Sequence, residues 1–537
     1  MKASQMSAQR LERAPKVSAN DYLARACEKL PVLARTIEEF GDSSLSDYIQ
    51  NLTMGGGSAY QPLDDLLEVV HQYASPLLGA AVATRVVHDL AAYPVVLTAN
   101  HHGVDYFAQS IQGSLIFALN RIAGATPATT VPVFACGSVP LDNLTYPLGL
   151  LLYRVNYAEL GAMPKKLPVF SNRFRREMVS AAAPFNPMMV QSAKKRFDKM
   201  VSEKIICPTL SQAVHEIFKE NYCAPSIVDL PDYSQQSVVL NNTIWKRFFP
   251  QHPSASDIVY LEMEKIVSAL LVKDLLNSDS LASRVMFDPA LRERIIDGLD
   301  GAKACWERKK LVRRLRRNLL NSQPHKAVSG CGTIFFWGIN NSGRRIPLYL
   351  EPAVLNGGRF RGVDDRGDTF EMAYTPQAII EGLHAKKLLP SLFTCFLIVS
   401  FARGLACAGG YFQGEYLPAM QRGVVRALEE SGDYHQVGHL VSQVPTGGYI
   451  SGMLALMTRT EEDCLIPAGP VEIIAGGGIT SNDIEQMRSL TVRDAHLAAL
   501  FETVPDIVPA GLNAPGWKRQ LAEDCSRLLE GKVVVKL

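Results

Sequence analysis

Pro94-Val95-Val96-Leu97-Thr98-Ala99-Asn100-His101-His102-Gly103 is the stretch whose reading decides the fold. Its apolar run is opened by a proline and closed by polar residues, which predicts a short strand buried on both faces. Asn100 to Gly103 predicts a turn, and Asp105 to Ala123 a helix. A second run, Val131-Pro132-Val133-Phe134-Ala135-Cys136-Gly137, predicts another buried strand. Strand, turn, helix and strand within about 45 residues form the βαβ unit of a parallel sheet.

Working outward, residues 1–93 read as a helical N-terminal segment, with a glycine-rich linker at Met54 to Ser58. Residues 94–185 carry the first part of the α/β core. Residues 186–325 read as a helical insertion. Within it, Asp257 to Leu276 carries an apolar stripe through Val259, Met263, Ile266, Val267, Leu270 and Leu271. Leu291 to Leu320 carries another through Ile295, Val312, Leu315 and Leu319. The two are expected to pair antiparallel, with basic residues 308–317 facing solvent or a second subunit. Residues 326–537 return to the α/β core. Strands are expected at Thr333 to Trp337, Arg345 to Leu350 and Arg359 to Val363, with a turn at Asn340 to Gly343. Helices follow at Pro376 to Lys386, Ser391 to Ala402 and Leu417 to Ser431, and a strand–turn–helix at Val471 to Met487.

Composition narrows the class. The chain has 537 residues, enough for a full core without disulfide or metal staples. Its 55 basic and 53 acidic residues leave a formal charge of +2, so bulk charge does not call for nucleic acid. The ten cysteines include no C-x-x-C pair, which argues against a zinc ribbon, a redox motif or an iron–sulfur cluster. They suit reduced thiols in the cytoplasm. Met1 to Lys16 is polar and has no apolar core for a signal peptide, and the longest apolar run, Leu388 to Ala402, is too short to span a bilayer. No metal site, haem or membrane contact is expected.

Three stretches can carry chemistry. Thr98, Asn100, His101, His102 and Gly103 sit where a parallel strand ends and a helix begins, the usual place for a ligand in such sheets. Two imidazoles there can meet anionic charge or move a proton. Gly409, Gly410, Gln413, Glu415 and Tyr416 combine glycines that permit close backbone approach with hydrogen-bonding side chains. Gly476, Gly477 and Gly478, entered from an apolar run and followed by Thr480 as a helix cap, look like a phosphate cradle. The basic run from Lys303 to Arg317 reads as a solvated helix face, with nucleic-acid binding as the alternative. There is no G-x-S-x-G, H-E-x-x-H or P-loop motif.

The first two stretches together resemble the cysteine-adding enzyme family of bacillithiol biosynthesis. In that family a strand runs into T-G-Q-Q-x-G, then a helix, then a strand with P-V-F. Here Thr98 to Gly103 and Pro132-Val133-Phe134 fall in that order. The family's G-G-P-G-E-x-x-Y junction is matched in order by Gly409 to Tyr416. Ala99, Asn100 and His101 stand in place of a glycine and two glutamines, and the family's acidic stretch has no counterpart at residues 137–139. The resemblance therefore implies the core and its general chemistry rather than cysteine or amino-sugar substrates. It implies a Rossmann-like parallel sheet, related to class I synthetases and nucleotidylyl transferases, carrying the helical insertion. It also implies an ATP-dependent ligase-like or nucleotidyl-transferring enzyme acting on a small amine or carboxylate metabolite. In that reading His101 and His102 stabilise charge, Glu415 and Tyr416 orient the substrate, and the glycines, Thr98, Asn100 and Gln413 bind substrate or nucleotide. A homodimer is compatible with it. A catalytically silent scaffold of the same fold is the other alternative.

Overall fold

The computed structural model describes residues 17–53, 59–252, 255–320, 330–351, 358–364, 366–507 and 516–537. The Met1 to Lys16 segment and the Met54 to Ser58 linker lie outside the described residues.

Helices fill the N-terminal region, among them α1 (Pro31–Phe40). Strand β1 (Val95–Leu97) leads into helix α2 (Ala108–Ile122) and then strand β2 (Thr130–Ala135). After a largely helical stretch, α3 (Tyr233–Lys246) precedes β3 (Asp257–Glu262), which runs directly into α4 (Met263–Leu275). Helix α5 (Arg308–Leu320) is followed by β4 (Phe336–Ile339), β5 (Arg345–Glu351), β6 (Arg359–Val363), β7 (Thr369–Ala373) and β8 (Leu388–Pro390). Strand β9 (Ala406–Gly410) turns straight into α6 (Tyr411–Glu429), and β10 (Tyr449–Ser451) and helix α7 (Leu500–Ile507) complete the elements that matter here.

The fold is mixed α/β, built around a five-stranded parallel sheet in the order β10-β9-β1-β2-β3. Its strands are mostly apolar, with polar residues at their ends, because both faces are covered. Val95, Leu97, Val131, Val133, Ile258 and Tyr260 pack into one hydrophobic cluster. Val96, Phe134, Val259, Leu261 and Cys407 alternate into the other. This period of two puts α2, through Ile111, Leu115 and Ile116, on the first face. It puts α6, through Leu417, Met420 and Val424, on the second. The βα unit starting at β1 and the one starting at β9 thus lie on opposite faces, although β1 and β9 are hydrogen-bonded neighbours. A crevice opens between their carboxyl ends at such a point.

A second, antiparallel sheet has the order β8-β4-β5-β6-β7. β4, β5 and β6 form where strands are expected from the sequence, while β7 and β8 are not among those expected, and Asn340 Oδ1 caps the β4–β5 turn by accepting from Ser342 N and Arg344 N.

Three readings need correction. Asp257 to Leu276 is not one helix: its first six residues are β3, a strand of the central sheet, so the region 186–325 is not helical alone. Ile258 to Leu261 is a contiguous apolar run that satisfies a helical stripe and a strand buried on both faces equally well. The expected antiparallel helix pair is replaced by separate packings: α5 lies on β5 and β6, while α4 lies against Asp64–Leu78 and Leu281–Phe287. Residues 470–475 form a helix, not a strand, because Pro470 starts it and Glu472 Oε2 accepts from Gly469 N in a capping arrangement.

Among the described residues no helix is long and apolar enough to cross a membrane. Ile258 is fully buried in β3. Ile258→Ala should lower unfolding free energy by about 2–5 kcal/mol. Denaturant unfolding measures it, and a change under 1 kcal/mol would contradict the burial of this strand in the core.

Candidate functional site

A cavity of about 920 Å³ opens at the carboxyl ends of β9, β1 and β2, between the parallel sheet and the antiparallel one. Thr98, Ala99, His101, Gly410, Gln413 and Tyr416 line its floor. The two sequence stretches, some three hundred residues apart, therefore share one cavity. β1 and β9 pair with Leu97 opposite Ala408. Gln413 Nε2 donates to Thr98 Oγ1 at 2.7 Å and to Cys407 O at 3.1 Å. A Cβ on Gly409 would sit 2.2 Å from the Gln413 amide carbon, so only glycine allows that side chain to fold back over the strand.

The two histidines have different environments. His101 lines the cavity. Its Nδ1 lies 3.2 Å from Asn143 Oδ1, which also accepts from Thr145 N and Thr145 Oγ1. Asn143 Oδ1 is thus an acceptor, so Nδ1 carries the proton and Nε2 is left as an acceptor. Burial pushes the His101 imidazole below its ordinary value, which keeps it neutral at pH 7. His102 is fully buried and does not line the cavity. Its Nε2 lies 2.9 Å from Ser234 Oγ, whose proton goes to Glu262 Oε2. Burial pulls its pKa to about 4. It ties the strand-end turn to α3 and β3 and is a positioning residue.

The turn itself is set by Asp105. Asn100 Nδ2 donates to Asp105 Oδ2 at 3.0 Å, Ser110 Oγ to Oδ1 at 2.6 Å, and Phe107 N to Oδ1 at 3.1 Å. Asn100 is therefore part of the scaffold. Gly103 has φ +120°, and a Cβ there would meet Pro147 at 2.5 Å. At the end of β2, Glu264 accepts from Gly137 N at 2.6 Å and Ser138 N at 2.8 Å. Cys136 lines the cavity, but its Sγ donates to Glu264 Oε1 at 3.3 Å, and burial pushes the thiol far above its ordinary range. A protonated thiol beside a carboxylate is no nucleophile.

Two expected sites move. Glu415 does not face the cavity; its Oε1 accepts from Val32 N at 2.6 Å and caps the start of α1. Gly476, Gly477 and Gly478 lie outside the cavity. Gly477 and Gly478 have φ near +80°, and a Cβ on Gly478 would meet Pro250 at 2.5 Å, so the triplet ends a helix and packs against 248–250. The basic run is divided. Lys303 and Arg314 line the cavity, against the expectation of an outward face. Arg308 pairs with Asp297 and Lys310 with Glu307, while Arg313 and Arg316 are exposed.

Sequence reading missed most of the polar wall. Arg176, Arg344 and Arg345 join Lys303 around the opening and make no ion pair among the described residues. Arg345 Nη1 donates to Ser138 O at 2.9 Å, and its guanidinium lies 4.5 Å from the centre of the Trp337 ring. Burial lowers its pKa. Arg344 Nε is buried without a hydrogen-bond partner among the described residues. Paired arginines directly after the Asn340 to Gly343 turn were the available signal. Away from this wall, Asp506 lines the cavity and accepts from Tyr411 Oη at 2.5 Å.

Among the described residues no three His, Cys, Asp or Glu side chains converge on a metal position, and all ten cysteines are free thiols. Comparison of the chain with protein-family models, with curated proteins and with solved structures finds no match.

Glu502, behind Asp506, is held by Tyr153 Oη at 2.5 Å, and burial raises its pKa to about 8. A carboxyl with a raised folded-state pKa contributes most stability below its unfolded pKa and loses it as pH rises toward 8. Glu502→Gln should therefore match the native chain in stability near pH 4 and exceed it by a few kcal/mol above pH 8. Urea unfolding at both pH values tests this; a pH-independent difference would show that folding does not shift the Glu502 pKa.

Proposed function

We propose that this chain is an enzyme that takes a phosphate- or carboxylate-bearing metabolite into the cavity at the ends of β9, β1 and β2. The observation that carries this reading is the wall of Arg176, Lys303, Arg344 and Arg345 around the cavity, which make no ion pair among the described residues. Arg176, Lys303 and Arg345 are exposed and Arg344 is half-buried, so four cations reach solvent around one opening, and such a concentration of one charge sign attracts an anionic ligand. Planar guanidinium forks match the oxygens of phosphate or carboxylate. The cavity volume is of the size that holds a nucleotide or a comparable metabolite.

The reaction class the resemblance suggests is ligase-like or nucleotidyl-transferring chemistry with ATP as cosubstrate. The residues suit a polyphosphate: Arg344, with its unpartnered Nε, and Arg345 would hold it, and Lys303 and Arg176 would flank it. Bound ATP would supply an activated phosphoryl or nucleotidyl group. His101 is the proton acceptor of this reading, because its bare Nε2 belongs to a neutral imidazole on the cavity floor. Thr98, Gln413 and Gly410 shape that floor, and His102 and Asn100 hold its turn in place.

Arg344→Gln/Arg345→Gln should weaken binding of ATP and of inorganic pyrophosphate at least tenfold and leave the folded far-UV spectrum unchanged. Isothermal calorimetry on the full chain reads both ligands. No binding of either by the native protein, or undiminished binding by the variant, would remove the basis of the proposal.

A further inference from the structure

The arginine wall accounts for one end of the cavity only. Ser138, whose carbonyl accepts from Arg345, follows β2. Tyr411 follows β9, and Ser451 ends β10. These last two line the other end together with Gln109 and Asp506. The sheet order β10-β9-β1-β2 places the ends of β9 and β2 two strand spacings apart, roughly 10 Å. Cations gather at the β2 end, and no Lys or Arg pairs with Asp506 among the described residues. The cavity is thus polarised along the strand ends.

Asp506 is held in place by Tyr411 Oη, at the far end of the tyrosine ring. That contact keeps it away from the backbone N–H groups that open α6, so it does not serve as a helix cap. Behind it, Glu502 is over nine-tenths buried, and its Oε2 has no hydrogen-bond partner among the described residues. Ser451 Oγ donates to Gln109 O at 3.3 Å, and Gln109 Nε2 to Thr503 Oγ1 at 3.4 Å, which fixes the neutral polar groups around the carboxylate. A carboxylate with no cationic partner among the described residues, at the end of the cavity away from the arginines, is complementary to an ammonium group.

We propose that the β9–β10 end of the cavity is a subsite for a primary ammonium group, with Asp506 as its counter-charge and Tyr411, Gln109 and Ser451 around it. This rests on the anion-binding reading for the other end and adds the second half of the recognition. The cavity takes an amine at one end and an anion at the other, either as two ends of one molecule or as two reactants.

Calorimetry of the full chain with hexyl phosphate, hexylamine and 6-aminohexyl phosphate tests this. The native protein should bind 6-aminohexyl phosphate about tenfold or more tightly than hexyl phosphate, the effect of one charge-assisted hydrogen bond. Asp506→Asn, whose amide oxygen can still accept from Tyr411, should erase that preference and keep the affinity for hexyl phosphate, which shows that its cavity is intact. Hexylamine binding that strengthens with hexyl phosphate present and vanishes in Asp506→Asn would support two separate reactants. An ammonium preference that is absent, or that survives Asp506→Asn, would overturn the subsite. If hexyl phosphate does not bind at all, the anion reading fails by itself. The amine subsite is then judged by hexylamine on the native protein against Asp506→Asn, and equal or undetectable binding overturns it.

Discussion

The pairing of β1 with β9 is the constraint from which the site follows. Val95, Val96 and Leu97 lie opposite Ala406, Cys407 and Ala408 in parallel register. Because α2 leaves β1 on one face and α6 leaves β9 on the other, the backbone diverges just past this pair and leaves a cavity. The small side chains of β9 permit the close fit. Gln413 folds back over Gly409, and Gly113 of α2 comes close enough to Ser451 that a Cβ there would lie 3.2 Å from its Cα. Larger residues at these positions would close the floor before any ligand reached it.

Buried polar groups then decide which parts of the floor are available. Asp105 satisfies the amide of Asn100, the hydroxyl of Ser110 and the N–H of Phe107, and burial raises its pKa to about 6. Glu264 occupies the N–H groups of Gly137 and Ser138, which would otherwise present an anion cradle at the end of β2. With that cradle filled from within, the cationic groups around the cavity come from side chains of the second sheet and the segments beside it. This explains why Arg344 and Arg345, rather than a glycine loop, form the basic end.

The parts of this arrangement that were legible in the sequence are those written in contiguous residues. The run at 94–97, the turn at 100–103 and the strands at 345–350 and 359–363 were readable because period and turn chemistry are local. That Thr98 and Gln413 meet was readable only from the order of motifs. β3 was read as helix because a strand covered on both faces has no alternation, so Ile258 to Leu261 offers no period of two. Glu415 has the chemistry of a catalytic acid and the job of a helix cap, and only the position of Val32 N distinguishes them. Arg176, Lys303 and Asp506 come from loops and a distant helix, and their convergence is set by tertiary packing that leaves no local pattern.

The wide sequence separation of β1 and β9 also governs how the chain reaches this state. Val95 to Leu97 can pair with β2 soon after synthesis, but the opposite edge of β1 waits for a partner that emerges about three hundred residues later. At ordinary ribosomal speeds of about 5–20 residues per second, that edge stays open for roughly 15–60 s. Through that interval the nascent chain carries an apolar, hydrogen-bond-hungry strand, the template on which foreign strands add. The residues that build the cavity thus leave one strand edge open while the chain is being made, and the cavity cannot form until β9 has emerged.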